Sequence, residues 1–217
     1  MPSETSHVRS VARPKQRRSE QSLRRLLDAA ESLILDRGFD GASIAEIARR
    51  ADSSVGGFYA RFRDKDELLL LLHERFVQQL EGALDQAISG PSAPADLDSL
   101  VGLCVRLMVE TYADQHGLLC AFLARAGYNP DLASAGRNHR RELLQRIVGA
   151  IRTHDTEIGH PDPALAAELA VQFGLGLMEQ SLQFGHPHAH GKALSGKTLQ
   201  REIERCVLGY LQVQHRT

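Results

Sequence analysis

Ser43-Ile-Ala-Glu46-Ile-Ala-Arg-Arg50-Ala-Asp52-Ser-Ser54-Val-Gly-Gly-Phe58-Tyr-Ala-Arg-Phe62-Arg-Asp-Lys65 is the stretch that decides the fold. Ser43 with Glu46 three residues on forms a capping box, and Ile44, Ile47, Ala48 and Ala51 recur at helical spacing on one apolar face. A short helix therefore starts at Ser43. Ala51-Asp52-Ser53-Ser54 breaks the pattern with residues that tolerate left-handed backbone or bond their own main chain, and Ser54 suits the N-cap of a second helix. Small Ala48 lets the two helices cross closely. Phe58 and Phe62 are expected to pack back onto Ile47, which leaves Ser53, Ser54, Val55, Gly57 and Tyr59 facing outward as candidate DNA contacts. Two short helices joined by a tight polar turn outline a helix-turn-helix.

Upstream, Leu23, Leu26, Leu27, Ala30, Leu33 and Ile34 predict an amphipathic helix from about Ser19 to Arg37, ended by Gly38. Downstream, Asp64 with Glu67 opens a long helix that carries Leu68 to Leu72, Phe76, Leu80, Leu84 and Ile88 to Gly90-Pro91. The segment Gly90 to Pro94 reads as a linker. Asp96 to Tyr112 is apolar almost all round, as expected of a helix at the centre of a bundle. Gly117 to Ala126 predicts a short helix. Asn129-Pro130 and Asp162-Pro163 each place a capping residue before a proline, opening helices of about 130–154 and 163–184. A last helix is expected from about Thr198 to Gln214. No strand is expected.

The order Ser54-Val-Gly56-Gly-Phe58-Tyr59-Ala-Arg-Phe62-Arg-Asp-Lys65, preceded by Ile47-Ala-Arg-Arg-Ala51, resembles the signature of the tetracycline-repressor (TetR) family of bacterial one-component regulators. The resemblance spans about Ser22 to Leu72, and it departs from the family at Asp52, where the family usually has glycine. It implies an all-α protein, with a three-helix DNA-binding head joined by a long helix to a C-terminal helical domain for ligand binding and dimerisation. The boundaries that follow are a basic arm over 1–18, the helix-turn-helix domain over 19–65 and the effector and dimerisation domain over 66–217. Carried over residue by residue, the resemblance makes Ser43, Lys65 and Tyr59 phosphate contacts, and Ser53, Ser54, Val55 and Gly57 the face toward base edges. Arg49, Arg50 and Arg61 are further candidates, beside a plain reading as solvated surface. The partner implied is a palindromic double-stranded operator bound by a homodimer, because two heads must reach successive major grooves about 34–36 Å apart.

The formal net charge of the 217 residues is −1, from 26 Lys/Arg and 27 Asp/Glu. Its distribution is uneven: residues 1–65 hold 13 basic against 9 acidic residues, +4, which leaves 13 against 18, −5, for 66–217. Between Arg9 and Arg25 seven basic residues face only Glu20, a composition suited to phosphates or a narrow minor groove. Cys104, Cys120 and Cys206 are odd in number and widely spaced, unlike a secreted disulfide scaffold. No charged-then-apolar leader is read, and apolar runs such as Leu100 to Val105 fall short of the ~20 residues of a membrane span. The expectation is a cytoplasmic protein with no membrane partner.

An effector pocket in a helical bundle is mostly ordinary core with a few polar groups. The polar or aromatic residues of otherwise apolar helices, Arg106, Glu110, Tyr112, Phe122, Gln172 and Glu179, are the candidates for contact with a small molecule of unknown identity, although Arg106–Glu110 also reads as an exposed i,i+4 pair. Ala166, Ala170 and Gly174 form a small-residue face that suits either a partner subunit or a helix of the same chain. His186-Pro-His188-Ala-His190 has alternate imidazoles, yet a polar loop between helices accounts for them, and no metal or cofactor is expected. An enzyme reading would be a helical di-iron protein, which needs repeated Glu-x-x-His pairs; only Glu157-x-x-His160 fits, at a helix break. The function expected is a ligand-responsive regulator, with a repressor released by a small molecule ahead of an activator or an architectural DNA-binding protein without an inducer.

Overall fold

A computed structural model describes residues 14–189 and 191–213, with side chains from Arg18 onward. Most of the basic arm, residues 1–13, and His190 lie outside the described residues. The chain divides into two compact units, with the boundary between Lys65 and Asp66.

The first unit holds α1 (Pro14–Gly41), α2 (Ile44–Arg50) and α3 (Val55–Tyr59). α1 begins at Pro14, not Ser19, because proline with its fixed φ suits a first helical turn, so the last residues assigned to the arm are helical. Gly38 breaks its axis at φ 75°, a backbone region that few side chains allow, and the helix proper ends there as expected. Leu26, Ala30, Leu33, Ile34, Ile47, Ala48, Phe58 and Phe62 are all buried, and the Phe58 and Phe62 rings lie 5.0 Å apart at the centre.

α2 starts as its sequence dictates: the Ser43 hydroxyl accepts from the Glu46 amide at 3.2 Å. The reciprocal half of the capping box is replaced, because Glu46 turns its carboxylate to Arg37 (3.3 Å) and Arg49 (3.4 Å). The helix ends in a Schellman turn, in which the Ser53 amide donates to Ala48 (2.9 Å) and the Asp52 amide to Arg49 (3.3 Å), with Asp52 left-handed at φ 51°. Aspartate thus holds the position that favours glycine. Its carboxylate is 96% exposed and meets Arg25 at 3.5 Å, a pairing of little energetic weight. Asp52→Gly is therefore expected to stabilise the unit by ~0.5–1 kcal/mol, and Asp52→Val to destabilise it by at least as much. Urea unfolding of the three proteins checks the order.

The second unit takes in nearly all of α4 (Lys65–Ser89), then α5 (Leu97–Asp114), α6 (His116–Ala126), α7 (Pro130–Arg152), α8 (Pro163–Phe184) and α9 (Gly196–Leu211). The two proline starts are capped as the sequence indicates, Asn129 accepting from Asp131 and Leu132, and Asp162 from Leu165. α9 begins earlier than expected because Ser195 caps it through Thr198, and it stops at Leu211 because Gln212 turns left-handed at φ 52° in a second Schellman turn. The loop before it is not strandless: β1 (His188–Ala189) and β2 (Lys192–Ala193) pair as a minimal antiparallel hairpin.

α8 packs along α9, and α5 and α7 close the core around them. The small face of α8 is used inside the chain. Ala166 and Ala170 are fully buried, and a Cβ on Gly174 would lie 3.5 Å from Ile203 and 3.6 Å from Val207 of α9. Partner contact through that stripe is thereby corrected: the face of α8 left open carries Leu165 (46% exposed) and Phe173 (45%) instead. No described helix is long and apolar enough to cross a membrane.

Candidate functional site

The exposed face of the first unit is built by the two caps. The Ser54 hydroxyl accepts from the Gly57 amide at 3.0 Å and starts α3, whose single buried side chain, Phe58, fixes the rotation of the helix. Val55 and Tyr59 then stand outward, 43% and 55% exposed, beside exposed Ser43 and Ser54. Gly57 has no room for a side chain unless Ser53 rotates, since a Cβ would lie 2.6 Å from the Ser53 hydroxyl oxygen.

The cationic candidates are more engaged than the sequence suggests. Arg49 pairs with Glu46, Arg50 meets Asp36 at 3.7 Å, and Arg61 donates back to the Gly57 carbonyl at 3.2 Å. Lys65 donates to the Phe39 carbonyl and rests 4.2 Å over the Phe39 ring. Those contacts make Lys65 a clamp on the end of α1.

The second unit encloses a cavity with about 470 Å³ of empty space, part of it continuous with solvent, between α4, α5, α6, α7 and α8. Tyr112, Phe122 and Glu179 line it, as their place on apolar helices suggests. Arg106, Glu110 and Gln172 do not: all three are exposed and border none of the cavities described. An apolar helix end to end still has one solvent edge, and that edge is where these residues fall.

Sequence reading missed His73, His139 and Arg140. His73 stacks on Phe122 with centroids 3.6 Å apart and planes 9° from parallel, and His139 meets His73 edge-on at 5.5 Å. The signal was present, because His73 sits among Leu69, Leu72 and Phe76, and His139 shares a stripe with Leu132, Leu143 and Ile147. Arg140 pairs with Glu179 at the cavity wall. Both ring nitrogens of His139 are buried without a hydrogen-bond partner. Gly136 admits the Phe122 ring, as a Cβ there would come within 3.1 Å of it.

Burial, helped by neighbouring His139, lowers the His73 pKa from 6.5 to about 3, and burial lowers that of His139 against a small opposing pull from Glu142. Burial, with the Glu179 carboxylate nearby, raises Tyr112 and keeps its phenol protonated. The unfolded chain binds protons on His73 below pH 6.5 whereas the folded chain resists until about pH 3, so stability is lost as the pH is lowered through that window. His73 alone removes about 2 kcal/mol by pH 5, and His139 acts in the same direction. Melting temperatures at pH 7.5 and 5.0 check this, and His73→Phe should shrink the difference.

The remaining motifs have local duties. Glu157 accepts from the Leu97 amide at 2.9 Å, docking the start of α5, and His160 is bonded within its own turn to Asp162. His186 bonds the Leu194 carbonyl at 2.7 Å. Cys104 is buried among aliphatic side chains, which pushes its thiol up to about 11 and leaves it unreactive.

A capped helix pair presenting a polar face, followed by a helical body with an internal cavity, defines a helix-turn-helix regulator. Residues 26–72 match the model for bacterial regulatory proteins of the tetR family, and residues 96–211 match that for the tetracyclin repressor-like C-terminal domain. The chain belongs to the TetR family of DNA-binding transcriptional regulators and is not an enzyme. It is 30% identical over 202 residues to the HTH-type transcriptional regulator BetI of Escherichia coli, covering 90% of this chain and 95% of that one. A TetR-family regulator from Mesorhizobium loti superposes with a TM-score of 0.71 at 22% identity, covering 90% and 97% of the two chains. A transcriptional regulator from Saccharomonospora viridis, solved in complex with choline, does so at 0.69 and 19% identity, covering 90% of this chain and all 100% of the other.

Proposed function

We propose that this regulator is a repressor, that it binds a palindromic operator as a homodimer, and that a small molecule in the His73–His139 cavity releases it. The observation that carries the reading is the cavity itself: a mostly apolar pocket among the body helices whose wall includes His139, buried with both ring nitrogens unpaired, the usual form of a small-molecule site. The long α4 supplies His73 to its wall, so a guest acts directly on the helix that begins at Lys65. The choline bound by the Saccharomonospora regulator makes a quaternary ammonium one ligand to test. The chain is to be placed in the cytoplasm, where such regulators meet DNA.

For DNA, Ser43, Tyr59 and Lys65 contact phosphates. Ser53, Ser54, Val55 and Gly57 face base edges, with Arg49, Arg50 and Arg61 flanking. Mapping bound DNA in cells and titrating the recovered fragments with purified protein tests the assignment. Tyr59→Phe is expected to weaken binding ~3–10-fold on all sequences by removing one hydroxyl donor, whereas Val55→Ala should change base preference more than affinity, having lost contact with a thymine methyl. Deleting residues 1–13 should lower affinity and flatten its salt dependence, since fewer counterions are released. An unchanged salt slope would remove the arm from the interface.

A further inference from the structure

The cavity of the second unit is incomplete in a particular way. His139 is 8% exposed, lines the cavity, and leaves both ring nitrogens without a partner. A neutral imidazole has one donor and one acceptor nitrogen, and leaving such groups buried and unpaired costs ~1–3 kcal/mol. A hydroxyl both donates and accepts, so it completes whichever nitrogen it meets.

The walls select the rest of the guest. Phe122, lying flat on His73, and Tyr112 line the cavity, and Phe76 backs them edge-on to Tyr112 at 6.1 Å and to His139 at 6.2 Å, so the wall is an aromatic one that suits a planar ring. Charge is disfavoured. The desolvation that keeps both imidazoles neutral also acts on an ionic guest, and among the described residues lining the cavity the one carboxylate, Glu179, is paired with Arg140. Neither an ammonium nor a carboxylate finds an uncommitted counter-charge.

Resting on the regulator reading above, we infer that the cavity takes an uncharged phenol, its ring against Phe122 and Tyr112 and its hydroxyl bonded to the His139 imidazole. The hydroxyl is the specificity element, and the aromatic walls supply most of the affinity.

The test titrates the purified full chain with 4-ethylphenol, ethylbenzene and choline chloride by calorimetry. 4-Ethylphenol is expected to bind ~5–10-fold tighter than ethylbenzene, with choline the weakest. His139→Phe should erase that preference while ethylbenzene still binds. Gly136→Ala, whose methyl group pushes Phe122 toward the guest, should weaken both aromatic compounds alike. A preference that survives His139→Phe, or tighter binding of choline than of the phenol, overturns the inference. Should His139→Phe fail to fold, nitrogen NMR of the wild-type His139 ring decides: 4-ethylphenol must shift its resonances, and unmoved resonances overturn the assignment equally. Release of the recovered genomic DNA is read separately. A phenol that binds through His139 without loosening DNA removes the inducer reading and leaves the ligand class standing, whereas release by choline without phenol binding does the reverse.

Discussion

A protein carrying both Leu165→Glu and Phe173→Glu is expected to stay folded, to sediment as a monomer, and to lose operator affinity by ~100-fold or more, the size of effect that follows when two linked heads become one. The two side chains lie eight residues apart, two turns of α8, on its open face, and each is close to half exposed in the single chain. The Phe173 ring meets Tyr210 of α9 edge-on at 5.1 Å, so one apolar surface runs across both helices. A glutamate at either place is solvated in the lone chain, yet it would be an unpaired buried charge in a two-fold interface, where the same patch faces itself. Gly174→Arg serves as the contrast. It drives a guanidinium into the seam with Ile203 and Val207 and should unfold the second unit. A native-like dimer from the double variant in sedimentation equilibrium would move the interface elsewhere.

Legibility from sequence followed the range of the interactions. Ser43, Ser54, Asn129 and Asp162 all cap where they were expected to, because a cap is settled within three or four residues of chain. Asp52 likewise took the left-handed backbone that its place in the turn demanded. Errors began where a residue had a choice of neighbours. The Ala166–Ala170–Gly174 stripe fits a partner's helix and the chain's own α9 equally well, and only the packing decides for α9. Arg106, Glu110 and Gln172 sit on helices with one open edge, and periodicity did not reveal which edge that was. His73 and His139 look like ordinary stripe residues until α4 and α7 bring them 5.5 Å apart, although a histidine on an apolar stripe is itself a signal of a buried polar group. Lys65 shows the opposite case, a surface cation by sequence that the fold ties to Phe39 across 26 positions.

An occupant that saturates the His139 cavity is expected to weaken operator binding ~10–100-fold, and the operator must then weaken the occupant by the same factor. Within the second unit the route is short. Phe122 of α6 lines the cavity, and on the same helix Arg125 holds Asp66 of α4 through two bonds of 2.9 and 2.8 Å, with Asn129 adding a third of 3.1 Å. A guest that displaces Phe122 therefore moves the helix to which the first turn of α4 is fastened, and differential affinity for the two arrangements is all that release requires. Asp66→Asn keeps the shape of that joint and removes its charge. It should leave operator and occupant each binding within about threefold of wild type while cutting the coupling factor toward one, an effect on the scale of a lost charge-assisted pair. Full antagonism in Asp66→Asn would place the lever elsewhere in the body. If a tightly held occupant leaves wild-type operator affinity unchanged, no inducer acts through this cavity, and the protein is a DNA-binding regulator of another kind.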